Sequence, residues 1–312
     1  MKLFGKSFSP PKAGWAGLVI EDARICMAVV VWDGTSRPRV LRLMERSRGS
    51  DLVADLRQLK KDAALARQRC VTILCQGDYQ TLLVDAPEVP RQELAEAIRW
   101  RIKDMLGMPL ERAVVDALIL PQASSFETRS RQALAVSADL ALVERVAEPF
   151  VQADLLLSAV DIPELAQRNL AALCEDENRG LAFLSLGKNG GLLTLTWGGE
   201  LFSSRRIEAG TALWLDRPAE DRAGAFDRIT LELQRSLDYF DRQFSFISIS
   251  RLVLAGGPEL APLGDFLRQT VYMPVELFDA AAVLDLPDEP GIPVCAALAV
   301  IGAALRAEEV PA

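Results

Sequence analysis

The sequence predicts an α/β protein made of two mixed sheets, each covered by helices. Three observations carry that prediction. Short apolar, β-rich runs alternate with longer segments of helical spacing. The order β-β-β-α-β reads twice along the 312 residues. Each of those units opens on a hairpin, while the two halves share no sequence similarity, so what repeats is architecture.

The elements follow in chain order. Strands at 15–20, 24–32 and 39–44 are separated by Glu21-Asp22 and by Asp33-Gly34-Thr35-Ser36, a three-stranded meander. Ser50 reads as a helix N-cap, followed by Leu52, Leu56, Leu59 and Ala63 at helical spacing. A short buried strand is expected at 71–75. A different segment begins near Pro87. Its helix, 93–106, carries Leu94, Ile98, Ile102 and Met105 on one stripe and ends at Gly107-Met108-Pro109. Strands at 114–120 and 132–137 follow, and Asp139 caps a helix reaching Glu148. In the second half, strands are expected at 181–186, 192–197 and 200–206, the last two joined by Gly198-Gly199. Ile229, Leu233, Leu237, Phe240 and Phe244 share one face of a long helix. A strand at 251–255 runs into Gly256-Gly257, and a helix at 258–270, a strand at 275–278 and a closing helix complete the chain.

Composition narrows the function. Apolar residues make up 50% and charged residues 25%, which excludes wholesale disorder. The formal net charge of −8 points away from general affinity for nucleic acid. There is no histidine at all, which removes Ser-His-Asp and Cys-His catalysis and every histidine-containing metal site. Carboxylates, Lys, Cys or a bound Mg²⁺ remain as carriers of chemistry. The five cysteines, Cys26, Cys70, Cys75, Cys174 and Cys295, are scattered without a C-x-x-C. They read as small buried hydrophobes in a reducing compartment.

The amino terminus has no apolar core long enough for a signal peptide. The longest nearly apolar run, 292–305, has 14 positions where a membrane span needs about 20. Its small residues suggest a helix packed closely inside the core, and a cytoplasmic location is expected. The tail 1–12 carries Lys2, Lys6 and Lys12 with Leu3, Phe4 and Phe8 between them. Contact with an anionic membrane surface competes there with a frayed tail, and Pro10-Pro11 favours the second.

Two β-β-β-α-β halves facing each other are the plan of the actin, sugar-kinase and Hsp70 fold. Glu96-Ala97-Ile98-Arg99-Trp100, then Met108-Pro109-Leu110-Glu111 and Val115-Asp116, resemble the PilM family of type IV pilus assembly. The run Glu232-Leu233-Gln234-Arg235-Ser236-Leu237-Asp238-Tyr239-Phe240 is similar to a helix of that family. Leu252-Val253-Leu254-Ala255-Gly256-Gly257 resembles its glycine turn. Arg101-Ile102-Lys103-Asp104 and Asp161-Ile162-Pro163-Glu164 look closer still to the MshI-type members of MSHA pili.

The resemblance implies an actin-like (ribonuclease-H-like) two-lobed fold with an inserted α+β subdomain. The expected division is a tail at 1–12, a first subdomain at 13–86 and 155–178, the inserted subdomain at 87–154, and a second lobe at 179–312 with a helical part at about 211–248. It implies a cytoplasmic scaffold at the inner face of the inner membrane. Its partners would be the short tail of a single-pass PilN-type protein (MshJ-like in an MSHA system) and other pilus assembly components. The tail would lie in a groove between the first subdomain and the inserted one; a homodimer is a further option.

An actin-like site holds Mg-ATP on two hairpin turns that need glycine and on carboxylates near the metal. Here the first turn, Glu21-Asp22-Ala23-Arg24, has no glycine. In the second, Gly187, Gly190 and Gly191 remain, but Ser185 stands where the resemblance leads one to expect Asp. Arg24 and Lys188 either meet phosphate or are simply solvated. On the adenosine side, Gly256 and Gly257 fit a base-approach turn, and Glu232 and Arg235 share a helix face. They match residues that face ribose and adenine in nucleotide-binding relatives, or they form an ordinary surface pair. The resulting expectation is a pseudo-ATPase with weak binding at best, with no catalytic residue assigned and no metal ligand. Trp100 is read as core, with a contact role beside Arg99 as the alternative. The competing functions are an active enzyme of the same fold, an FtsA-like filament protein and a GspL-like component of type II secretion.

Overall fold

The computed structural model describes residues 14–121 and 131–306. The basic tail, with the readings attached to it, lies outside them.

The meander expected at the start forms as β1 (Trp15–Ile20), β2 (Arg24–Val31) and β3 (Arg39–Ser47), antiparallel throughout. Helix α1 (Leu52–Asp62) follows. Its cap is Asp51 rather than Ser50: the Asp51 side chain accepts the Ala54 N–H at 3.0 Å. A carboxylate one residue nearer the first turn meets both the free N–H groups and the positive end of the helix. Strand β4 (Arg69–Ile73) then runs parallel to β1.

The chain next builds a separate three-stranded sheet in the order β5-β7-β6, with β5 (Tyr79–Asp85), β6 (Ala113–Ile119) and β7 (Gln132–Asp139). This sheet begins at Tyr79, ahead of the composition break at Pro87. Helix α2 (Arg91–Arg101) covers it through Leu94 and Ile98. The helix is shorter than 93–106. The backbone leaves helical geometry at Ile102 and continues as a 3-10 turn (Lys103–Met105). Ile102 stays buried, but Met105 falls off the stripe and is 58% exposed. Helix α3 (Leu140–Gln152) follows, capped by Asp139 as expected.

Like β5, the next two elements were not foreseen. Strand β8 (Leu156–Asp161) pairs in parallel with β4 and completes a first sheet ordered β3-β2-β1-β4-β8. Helix α4 (Pro163–Ala172) then leads into the second lobe.

That lobe repeats the plan. Strands β9 (Gly180–Leu186), β10 (Gly191–Trp197) and β11 (Glu200–Ile207) form a meander. Gly198 and Gly199, at φ 60° and 76°, make the tight turn between the last two. Helix α5 (Ala223–Gln243), β12 (Ile249–Ala255), α6 (Ala261–Thr270) and β13 (Val275–Leu277) follow. The sheet order, β11-β10-β9-β12-β13, mirrors the first. After α7 (Ala280–Val283), the closing helix α8 (Leu298–Ala304) is confined to the end of the apolar run, because Pro293 and a 3-10 turn precede it.

The layers stack in a fixed order. α1 and α3 cover one face of the first sheet. α4 and α8 fill the space between the two sheets, in a core that joins Trp15, Val30 and Val71 to Phe183, Val253 and Ala255. α5 and α6 cover the far face of the second sheet with Phe226, Ile229, Leu233 and Phe240 buried. The small residues of α8 permit that stacking: a Cβ on Gly302 would stand 2.2 Å from the Ala166 carbonyl oxygen of α4.

The cysteine expectation holds for Cys26 and Cys70, which are buried. Cys174 is half-buried; Cys75 and Cys295 are exposed, the first in the loop after β4 and the second in the 3-10 turn before α8, both outside the core elements. None of the five is paired in a disulfide.

Candidate functional site

A cavity of about 780 Å³ lies between the lobes. Its walls are the β1–β2 turn at Glu21, the β9–β10 turn from Ser185 to Gly191, the end of β11 at Arg206–Glu208, and the α4 residues Pro163, Gln167 and Leu170. Its floor is a closed polar network. Gln167 is buried and donates to the carbonyls of Phe183 and Leu192, both at 2.9 Å, while its oxygen accepts the Ser185 hydroxyl at 2.5 Å.

The two turns differ. In the first, the Glu21 N–H bonds the Arg24 carbonyl at 2.9 Å, and the Arg24 guanidinium is engaged by Glu21 at 2.6 Å and Glu45 at 2.8 Å. The hydrogen bond to Glu21 pushes the Arg24 pKa above its ordinary value. In the second, the Gly187 N–H bonds the Gly190 carbonyl at 2.8 Å. Gly190 has φ 157°, and a Cβ there would stand 2.7 Å from the Ile207 carbonyl oxygen. Gly210 closes over this turn, within 2.3 Å of the Gly190 nitrogen if it carried a Cβ. Lys188 is exposed. Among the described residues lining the cavity, Arg206 is the one cation, and Glu21 and Glu208 are its carboxylates.

The structure brings Gly187, Gly190 and Gly256 to one place: Gly256 packs against the Leu186 carbonyl, where a Cβ would come within 2.9 Å. Gly257 adjoins them, against the Glu259 carboxylate. Glu232 and Arg235 stand apart on α5. Glu232 pairs with Arg228 at 3.6 Å, and Arg228 also meets Glu208 at 3.2 Å, which connects α5 to the rim of the cavity. Arg235 is exposed.

For Mg-ATP, the fit is partial. Glycine-lined backbone is present in the second turn and beyond β12. The first turn offers carboxylates and a committed arginine, and the Ser185 hydroxyl is held by Gln167. Among the described residues there is no cluster of three or more His, Cys, Asp or Glu side chains placed to hold a metal ion.

A second concavity, about 240 Å³, opens between the first sheet and the inserted one. It is lined by Val160 and Asp161 at the end of β8, by Ile162, Leu165, Arg168 and Asn169 at and within α4, by Asp116, Ala117 and Leu118 of β6, and by Arg91, Glu200 and Arg306. Both flanking strands are sheet edges: among the described residues, nothing pairs with the outer side of β8 or of β6. Asp161 is buried at its end, accepting the Ile162 N–H at 2.8 Å and facing Arg306 at 3.3 Å. Burial pushes its pKa up, against the pull of Arg306. Arg168 meets Glu200 at 2.6 Å, and burial likewise raises Glu200.

Sequence reasoning expected a groove here only through the resemblance and named none of its residues. The run Asp161-Ile162-Pro163-Glu164, quoted for that resemblance, was the available signal. Trp100 lies outside the groove lining and is 58% exposed, so its assignment to the core is corrected. Leu94 and Ile98 occupy the buried face of α2, and the indole turns outward, where its Nε1 donates to Glu96 at 2.9 Å.

Two lobes with matching sheets around a cleft, one carrying an inserted sheet, make an actin-like fold, as the sequence led us to expect. No family model matches the chain, and no curated protein does. Among solved structures it is similar to a PilM-PilN type IV pilus biogenesis complex, at 21% identity over 94% of this chain and 99% of that one, with a TM-score of 0.72. It is more distantly similar to the cytoplasmic domain of EpsL, an inner membrane component of the type II secretion system of Vibrio cholerae, at 11% identity over 93% and 94%, with a TM-score of 0.48. A Bacteroides thetaiotaomicron protein with an actin-like ATPase fold matches at 12% identity over 88% and 93%, with a TM-score of 0.46. No helix among the described residues is long and apolar enough to cross a membrane.

Proposed function

We propose that the protein is a cytoplasmic scaffold of a type IV pilus assembly machine. It holds the tail of a single-pass, PilN-type inner-membrane protein in the groove between β6 and β8. The observation that carries this reading is a groove flanked by β6 and by the end of β8, each an edge strand among the described residues. An extended peptide laid there gains main-chain hydrogen bonds from edge strands and side-chain pockets at alternate positions. The likeness in fold to the PilM-PilN structure supports it. The MshI-like motifs favour an MSHA-type system, with an MshJ-like partner.

The interlobe cleft serves, in this reading, as a degenerate nucleotide site, with weak binding and no turnover. Phosphoryl transfer depends on positioned charge around the phosphates and metal. A first turn without glycine, a serine held by Gln167 and a single lining cation support this view.

The test is a mild-detergent pull-down of the tagged protein from its own cells, followed by mass spectrometry. Enrichment of a single-pass inner-membrane protein together with pilus components is expected. The variant Leu118→Asp should lose that partner while staying folded, because Leu118 lines the groove and lies outside the core beneath α2. Capture of soluble metabolic proteins alone overturns the scaffold reading.

A further inference from the structure

Helix α4 is a shared wall. Pro163, Gln167 and Leu170 face the interlobe cleft, and Leu165, Arg168 and Asn169 face the groove. Between them sits Glu164, 6% exposed. Its carboxylate accepts the Tyr79 hydroxyl and faces Arg206 at 3.8 Å, while Arg206 also donates to the Tyr79 oxygen at 3.3 Å.

These three residues come from three parts of the molecule. Tyr79 opens β5 of the inserted sheet, Glu164 stands in the first turn of α4, and Arg206 ends β11 in the second lobe, where it lines the cleft. A buried carboxylate is stable only while it is paired and hydrogen-bonded. Here both partners arrive from units other than its own. Burial and the Glu164 hydrogen bond push the Tyr79 phenol above its ordinary pKa, so it remains a donor. If the second lobe swings away, Glu164 loses its cation. If the inserted sheet shifts, it loses its hydroxyl. Neither unit moves without cost to the contact made by the other.

We propose that Tyr79, Glu164 and Arg206 form a latch that couples closure of the interlobe cleft to the width of the groove between β6 and β8. The proposal rests on reading that groove as the peptide site. Tyr79 and Arg206 are positioning residues in it, since neither lines the groove.

The experiment pairs two readouts on the full chain and on Tyr79→Phe, Arg206→Ala and the double variant. The first is the affinity for a fluorescein-labelled peptide of the PilN-type partner's cytoplasmic tail. The second is hydrogen exchange over 79–85 and 113–119. Each single variant should weaken the peptide by about tenfold, within the usual range for coupled sites, and speed exchange in both segments. The double variant should lose no more than the worse single, since the three groups act as one unit. Arg37→Ala, which breaks an exposed pair with Asp285 outside the lining of either cavity, should change neither readout. If Arg206→Ala fails to fold, Arg206→Gln replaces it.

Unchanged exchange in both single variants overturns the latch. Faster exchange with unchanged peptide affinity overturns the coupling and leaves the groove reading intact. Absence of peptide binding to the unsubstituted protein overturns the groove reading instead, and exchange alone then decides the latch.

Discussion

Gly302 of α8 crosses Ala166 of α4 so closely that a Cβ would stand 2.2 Å from the Ala166 carbonyl oxygen. On the other side of α8, a Cβ on Gly17 of β1 would stand 2.1 Å from the Val300 carbonyl oxygen. The helix is therefore held between the first sheet and α4 by two backbone contacts. Gly302→Ala should destabilise the protein by about 3 kcal/mol or more, as overpacking against rigid backbone does. Gly224→Ala is the matched control, because nothing lies near that Cβ. It should stabilise α5 by about 0.5 kcal/mol. Urea unfolding of both variants checks the pair.

Gln167 bridges α4 to two strands of the second sheet through Phe183 and Leu192, and it holds Ser185. Gln167→Ala should cost about 2 kcal/mol, because it leaves buried donors and acceptors unpaired. The same unfolding midpoint reads this loss.

Trp100 is exposed, so Trp100→Ala should change stability by no more than about 0.5 kcal/mol. A larger loss would return the residue to the core. If the substitution weakens partner capture while stability holds, the contact surface extends from the groove onto α2.

Native alkylation should modify Cys75 and Cys295 and spare Cys26 and Cys70 until the protein unfolds. Burial pushes the Cys70 thiol up to about 12. Cys75, though exposed at the surface, is raised as well, first by partial desolvation beside the protein and then by Asp78, Asp22 and Glu21. The thiolate is the reactive form, so a raised pKa lowers its share at a given pH. Cys75 labelling should therefore keep accelerating as pH rises beyond the ordinary thiol range of about 8.5. Intact-mass kinetics across pH give the answer.

Mg-ATP hydrolysis by the purified protein should stay at the level of a heat-killed control. Phosphate release well above that level would replace the scaffold reading with an enzyme. In that case the contact between Ser185 and Gln167 must open to admit the substrate, and labelled-nucleotide binding would show it.

What was legible in the sequence was local. The meander at β1–β3, the Gly198-Gly199 turn, the Asp139 cap and the buried face of α5 all depend on neighbours a few residues apart. Side-chain period and turn chemistry carry that information. The misses have the same origin. Strand β8 is short and half exposed along Leu156–Asp161, and its ladder partner β4 lies beyond the whole inserted sheet, so no local pattern marks it. Met105 followed the helical stripe on paper, but the backbone turns at Ile102.

Hydrophobic period and paired hairpins thus determined two mixed, helix-covered sheets of repeated plan, and the absence of histidine narrowed the chemistry. Tertiary structure alone decided which groups meet. Tyr79, Glu164 and Arg206 are remote in sequence, and each would be an ordinary surface residue in isolation. Burial at the junction of three units makes Glu164 depend on the other two, because a carboxylate removed from water needs partners that only the assembled fold supplies. The groove has the same physical basis: β6 and the end of β8 become its flanks only when two separately formed sheets come together at α4.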